Sequence, residues 1–511
     1  MTKAKLIAEN KDLKLLLEQK NLIISKLQKM LFGPTSERYT SEEKQSIQMS
    51  LFTELEEIRL KEEEQKLAGQ QQKVTITYER KKKPEKKTPN RIPLPDHLPR
   101  IELVLEPESD LTGLVKIGEE ITEILDIIPP VFQVIRLVRP KYAAPLAKTQ
   151  EVENPIVVAP MPSRVIDRGI PSTRLLAYIL MCKFVDHLPY YRQIQIFKRI
   201  GVGVKSNTIN GWIAQTCVLL KPLYDAFCKA HFKQSYLQAD ESTVKVLRIK
   251  KNGKKSKSHT GYYWVYYDPI LNQVVFIFDH GRGRKYAGQH LKDFKGSLQT
   301  DGLSVYDAFD KLEHVVLIGC MAHIRRKFIE AIPNDKKRAE PIVLLIQQLY
   351  SIEQTARENN YTHLQRLELR EEKAVPVMKK LKLELDKLHN NPQVLKSSAI
   401  GKAVTYALGR WKYQQRYLYD GQLEIDNNLV ENAIRPLALG RKNWLFAGSE
   451  KGAQWGAIIY TLVGSAIRHN HNPLDYLSDV LRRLPNTKMD QLYTLFPVNW
   501  KKDPESELDL I

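Results

Sequence analysis

Residues 235–280 read SYLQADESTVKVLRIKKNGKKSKSHTGYYWVYYDPILNQVVFIFDH. Three runs within this stretch, SYLQADESTVKVL, GYYWVYYD and QVVFIFDH, are rich in aromatic and β-branched residues and alternate with a period of two, as strands do. Polar turns separate them, and KKNGKKSKSHTG makes a basic hairpin tip between the first two. The pattern predicts an antiparallel meander.

Downstream, a helical piece near Tyr286 to Phe294 leads to two more strand candidates, SLQTDGLS and EHVVLIGC. Three meandering strands, a helix and further strands form the layout of a ribonuclease H-like core. Residues 325–411 are almost wholly helical in pattern, rich in Leu, Lys, Glu and Gln, and read as a helical insertion into that core. EIDNNLVENAIRPLALGRKNWLF, residues 424–446, predicts an Asp/Asn cap and a helix that breaks at Pro436. The tail adds two amphipathic C-terminal helices, the second starting at Pro473.

Upstream, Leu6, Asn10, Leu13, Leu17, Lys20, Ile24, Leu27 and Leu31 alternate in steps of four and three, the seam of a coiled coil or of an amphipathic helix packing on its own domain. The basic run ERKKKPEKKTPNR reads as a linker. Short β-branched runs between Ile101 and Val138 predict a small strand-rich module. LPYYRQIQIFKRI, the turn GVGV and KSNTINGWIAQTCVLL have the pattern of a helix-turn-helix, which an ordinary helical hairpin shares. The expected organisation is a multidomain α+β chain: a coiled-coil oligomerisation helix at 1–33, a linker at 34–95, the β-rich module at 96–160 and a helix-turn-helix region at 161–234. The core follows at 235–330, then the insertion at 331–415, a core helix at 416–450 and the C-terminal helices at 451–511.

The chain has 511 residues, enough for several cores. Its 79 Lys and Arg against 59 acids leave a net charge of +20, a field that favours a polyanion such as double-stranded DNA. No apolar run approaches a membrane span. The four cysteines show no paired framework, and the amino terminus lacks the marks of a secretory signal, so the expected location is a reducing cytoplasm, at the nucleoid.

Asp240 lies at the end of the first strand-like run and Asp301 follows the run SLQT, so each is expected where a strand meets its loop. Glu431 lies on the helix of residues 424–446, spaced by four from Asn427 and Arg435. Two strand-borne carboxylates and a helix-borne one suit hard divalent cations: two Mg²⁺, or Mn²⁺ in their place, of the kind that serve phosphodiester chemistry. Glu241 and Asp426 are rival ligands that spacing does not exclude.

At these residues the chain resembles the bacterial transposases of insertion sequence 66. The phrases that carry the resemblance are LFGPTSER (31–38), DHLPYYRQ (186–193), LQADEST (237–243), LQTDGLSVYDAF (298–309), GCMAHIRRKF (319–328) and DNNLVENAIRPLALGRKNWLFAGS (426–449). The resemblance implies a DDE transposase whose triad is Asp240, Asp301 and Glu431, cutting and joining DNA at the element's terminal inverted repeats and target. The seam of residues 6–31 points to self-association as a homo-oligomer, and accessory transposition proteins are candidate further partners. His323, Arg325, Arg326, Arg435, Arg441 and Lys442 are candidates for DNA or phosphate contact. The family commonly has a zinc-binding CxxC pair after a KYA-like phrase, where this chain reads KYAAPLA, and no cysteine occurs between Met1 and Met181. The expectation is therefore a module without zinc. A non-catalytic DNA-binding protein derived from a transposase is the alternative.

Overall fold

A computed structural model describes residues 132–143, 156–158, 164–166, 169–248 and 257–503. The expected coiled coil and linker fall outside the described residues, as does most of the β-rich module. Of that module, β1 (Lys141–Ala143) and β2 (Ile156–Val158) form an antiparallel pair. The helices α1 (Thr173–Phe184), α2 (Tyr190–Arg199) and α3 (Ser206–His231) follow. Left-handed Gly201 lies between the last two.

The meander forms as its alternation predicts. Strands β3 (Tyr236–Arg248), β4 (Lys257–Asp268) and β5 (Gln273–Asp279) pair antiparallel. The β4–β5 turn is fixed by Asp268, whose Oδ1 accepts from the backbone N–H of Ile270 and Leu271 at 2.8 and 3.1 Å. After α4 (Arg284–His290), strands β6 (Gly296–Thr300) and β7 (Val315–Ile318) add in parallel on the other side of β3. The sheet order is β5-β4-β3-β6-β7.

Alternation gives this sheet two apolar faces. Tyr263, Val265 and Tyr267 of β4 join a core with α1, α3 and the C-terminal helices α10 (Glu450–Arg468) and α11 (Pro473–Arg483). Trp264 and Tyr266 face the other way, toward Ala287, Leu291 and Phe309. At the edge strand β5, α10 supplies two buried hydroxyls. Thr461 Oγ1 accepts from Phe276 N at 2.9 Å and Ser465 Oγ from Val274 N at 3.0 Å, so the edge is not left open for another strand.

The helical stretch expected after the core is α5 (Met321–Glu358), α6 (His363–Leu369), α7 (Val375–Asn390) and α8 (Ala399–Gln414). Its apolar cluster is separate from the two sheet cores. Within it lies a buried ionic network. Glu353 accepts from Arg366 Nε at 2.8 Å and from Arg370 Nε at 2.7 Å, and Arg370 also donates to the carbonyls of Tyr417, Asp420 and Leu423. The returning strand of chain, residues 417–424, is thus gripped by guanidinium groups before it enters α9 (Asn428–Trp444).

Two local expectations need correction. Helix α9 does not break at Pro436 but runs through it, because Val430, Ala433, Ile434 and Leu437 bury one side of the helix and tertiary packing outweighs the missing hydrogen bond. Leu445, at φ +64°, ends the helix instead. Asp240 is not at the end of a strand but inside β3. What ends at Ala239 is the pairing of β3 with β6.

Candidate functional site

The phrase LQ-x-D occurs twice, as LQAD (237–240) and LQTD (298–301). In the parallel register of β3 and β6, Leu237 faces Leu298, Gln238 faces Gln299 and Ala239 faces Thr300. One step further come Asp240 and Asp301, so the two carboxylates leave equivalent positions of neighbouring strands, which lie about 4.8 Å apart in any sheet. Gly302 follows at φ +91°, a left-handed conformation that lets the chain turn away directly after Asp301. Leu303 N donates to Asp301 Oδ1 at 2.9 Å, and Tyr406 Oη of α8 donates to the Asp301 carbonyl at 2.8 Å.

The two glutamines of the same phrases dock the segment that carries Glu431. Gln238 Nε2 donates to the Asp426 carbonyl at 3.0 Å, and its Oε1 accepts from Val430 N at 3.2 Å. Gln299 Nε2 donates to the carbonyls of Gly319 and Glu424 at 2.9 and 2.8 Å. Tyr236 Oη donates to Gln299 Oε1 and accepts from Glu424 N. Every one of these amides is buried, where an unpaired polar group costs about 1–3 kcal/mol, so the start of α9 is held at one place on the sheet.

Asp240, Glu241, His323, Arg326, Glu431 and Ile434 line one cavity. The Asp240 residue is partly exposed, but its carboxyl group is enclosed and is pushed up to about 8 by burial, then by the charges of Glu241, Asp301 and Glu431. Its hydrogen-bond donor is the backbone N–H of Glu241, at 2.7 Å. Glu241 differs. Its carboxylate pairs with Arg282, although burial still holds it above the usual range. Asp426 is also engaged, accepting from Tyr350 Oη at 2.7 Å and from Asn428 N at 3.1 Å. Of the two rivals, one is paired with a guanidinium and the other is held by Tyr350 and Asn428.

Glu431 lies between two basic side chains of α5, His323 Nε2 and Arg326 Nη2, each at 3.8 Å. Burial holds the His323 imidazole below its ordinary value even with Glu431 beside it. Its Nδ1 is 3.2 Å from the buried Cys320 thiol. The remaining expected contact residues lie elsewhere. Arg435 and Lys442 are exposed on α9, and Arg441 donates to the Thr243 carbonyl and hydroxyl, tying the end of α9 to β3. Arg325 is half-buried. Asn427, expected on the face of Glu431 and Arg435, precedes the helix and is wholly buried, because spacing by four places residues on one face only inside a helix.

Gln238, Gln299, Arg282 and Tyr406 are the residues that sequence reading missed. The repeated LQ-x-D phrase was a usable signal for the glutamines. Arg282 and Tyr406 meet the site across 41 and 105 residues and leave no spacing signal.

Residues 168–455, more than half of the chain, match the Transposase IS66 family. This chain belongs to that family. Residues 21–103 match a segment described as Transposase C of IS166 homeodomain, and residues 109–144 match the zinc-finger binding domain of transposase IS66. Three relatives in Sinorhizobium fredii (strain NBRC 101917 / NGR234) carry the name of uncharacterized proteins. The one called y4jD is 34% identical over 429 residues, covering 80% of this chain and 82% of its own. That called y4qI is 35% identical over 446 residues, covering 81% and 79%. The protein y4hP is 29% identical over 510 residues, covering 94% and 88%. Membership in the IS66 family gives the chain a transposase and DNA-binding role.

The third match corrects the expectation that no zinc belongs to this IS66 transposase. Missing cysteines are too narrow a ground for excluding the metal, since zinc also takes histidine and carboxylate ligands. The matched stretch itself contains neither cysteine nor histidine. Among the described residues no helix is long and apolar enough to cross a membrane.

Proposed function

We propose that this IS66 transposase cleaves DNA at the ends of its element and joins them to a target through the carboxylates Asp240, Asp301 and Glu431. One observation carries the reading: two aspartates in register on adjacent parallel strands, with Glu431 on a helix pinned to the same two strands by Gln238 and Gln299. A carboxyl driven up to about 8 by burial and then by three like-charged neighbours fits a place that a divalent cation would neutralise. Such cations, when bound, activate the attacking oxygen and stabilise the leaving one. Asp240, Asp301 and Glu431 would hold them, with Glu431 oriented by His323 and Arg326. His323 can take a proton at Nε2 and return it once protonated, and Arg326 can donate to a phosphate oxygen.

In this reading the mixed sheet is a ribonuclease H-like core interrupted by the helices of the 331–415 insertion. Helices α2 and α3 act as the helix-turn-helix that binds the terminal repeats, and residues 1–33 pair two copies of the chain. Arg435, Lys442, Arg441 and Arg325 line the path of the DNA backbone beyond the cavity.

The test is a strand-transfer assay on terminal inverted repeats with Mg²⁺, run beside a gel shift. Asp301→Asn should lose cleavage and joining and keep DNA binding. Cleavage at the wild-type rate by that variant would refute the assignment. A wild-type protein that binds the repeats and never cuts them would leave only the non-catalytic DNA-binding role.

A further inference from the structure

We infer that His259, His280 and Glu450 form a binding site for a borderline divalent transition metal, with Zn²⁺ the natural occupant. This site is separate from the carboxylate cavity and does not rest on the proposed cleavage activity.

Three elements meet there. His259 is the third residue of β4, His280 directly follows β5, and Glu450 is the first residue of α10. Strands β4 and β5 pair with Tyr262 opposite Asp279. Continued by one step, that register sets Gly261 opposite His280 and makes His259 a diagonal neighbour on the same face. It is the face of Tyr263 and Phe278, which α10 covers. The other end of the triangle is fixed by the backbone: Ala447 exchanges hydrogen bonds with Lys245 and Leu247 of β3, and Ser449 caps α10, so Glu450 is delivered to one place.

The geometry is that of a ligand set. His280 Nδ1 is 3.4 Å and His259 Nε2 is 3.7 Å from Glu450 Oε1, and one donor atom from each residue lies within 4.8 Å of the other two. Bonds of about 2.0–2.1 Å in a tetrahedron put donor atoms about 3.3–3.4 Å apart, so a contraction of at most about 1.4 Å between any two donors would close the site. The two imidazole rings stack at 5.9 Å between centroids. A helix amino terminus alone would account for a carboxylate at Glu450. It does not account for His259, whose Nδ1 and Nε2 are both buried without a hydrogen-bond partner. Two imidazoles and one carboxylate suit zinc and leave a fourth position for water. Bound metal would clamp the start of α10 to the β4–β5 edge. It would also fix the loop at Gly281, whose carbonyl accepts from Trp264 Nε1, and so Arg282, the partner of Glu241.

The experiment uses the full chain, stripped with chelator and titrated with Co²⁺ without DNA, followed by visible absorption and back-titration with Zn²⁺. His280 and Glu450 are each about half exposed, so His280→Asn and Glu450→Gln should leave the fold intact, as circular dichroism would check. The wild type should take up one equivalent with the intense bands of tetrahedral Co²⁺, bleached by Zn²⁺. Each variant should bind at least about 100-fold more weakly, since even ligand-supporting residues are worth about 10–100-fold. Asp301→Asn should keep the bands. Bands unchanged in both variants, or bands lost in Asp301→Asn instead, would overturn the proposal. So would a wild type that shows no tetrahedral band at all.

Discussion

Asp240 carries a stability debt that a cation would cancel, and Asp240→Asn should expose it. Raising the carboxyl from its ordinary 3.8 to about 8 corresponds to at most about 6 kcal/mol at 1.36 kcal/mol per pH unit. Water reaching the partly exposed residue lowers this, and about 2–4 kcal/mol is the expected size. The sign follows from proton counting. Between pH 4 and 8 the folded chain holds a proton at Asp240 that the unfolded chain has released, so stability falls as pH rises through this window. In EDTA, urea midpoints of the wild type should therefore drop from pH 5 to pH 8 relative to those of Asp240→Asn, which has no such proton. The two curves should converge at low pH and separate by about 2–4 kcal/mol at pH 8. Mg²⁺ should raise the wild type at pH 8 and leave the variant nearly unchanged. Parallel pH curves for the two proteins would refute the reasoning, because they would mean that Asp240 is neither enclosed nor repelled by its neighbours.

Three further outcomes follow from the packing. Glu353→Gln leaves Arg366 and Arg370 buried without their shared anion and should cost about 3 kcal/mol, the low end for a broken buried pair because both guanidiniums keep other acceptors. Burial alone would raise the Glu353 carboxyl, but Arg370 and Arg366 hold it below its ordinary range, so this penalty should be full at neutral pH and fade below about pH 4 in acid denaturation curves. Gln238→Leu strips partners from Val430 N and the Asp426 carbonyl and should lower stability by about 2–4 kcal/mol in urea, with a larger loss of cleavage than of DNA binding. Tyr406→Phe removes one donor to the Asp301 carbonyl and should cost about 1 kcal/mol or less, while raising the Mg²⁺ concentration needed for half-maximal cleavage.

The strands were legible because alternation is local: GYYWVYYD and QVVFIFD announce their faces without reference to the rest of the chain. The helices of the insertion were legible for the same reason. Pro436 was misread because its cost is local and the packing of Val430, Ala433 and Leu437 that overrides it is not. At the site, the residue types and the region could be read, but not the separation of Asp240 from its rivals. That depends on Arg282 reaching Glu241 and Tyr350 reaching Asp426, contacts made only after folding. The distant glutamines were hidden by a different habit of reading, since a polar residue inside a strand run is taken for a solvent-facing one. Here both are buried.

The route of the chain to Glu431 has a consequence for biosynthesis. The two aspartates are made early and on neighbouring strands, but the third carboxylate returns only after the whole helical layer, and α10, which seals the β5 edge, comes later still. A ribosome that has released residue 330 has produced two acids and no acid trio. Completion demands contacts of long sequence separation, the slow kind. Nascent chains of this protein thus gather Asp240, Asp301 and Glu431 only after the whole helical layer has been made, which places that convergence late in folding.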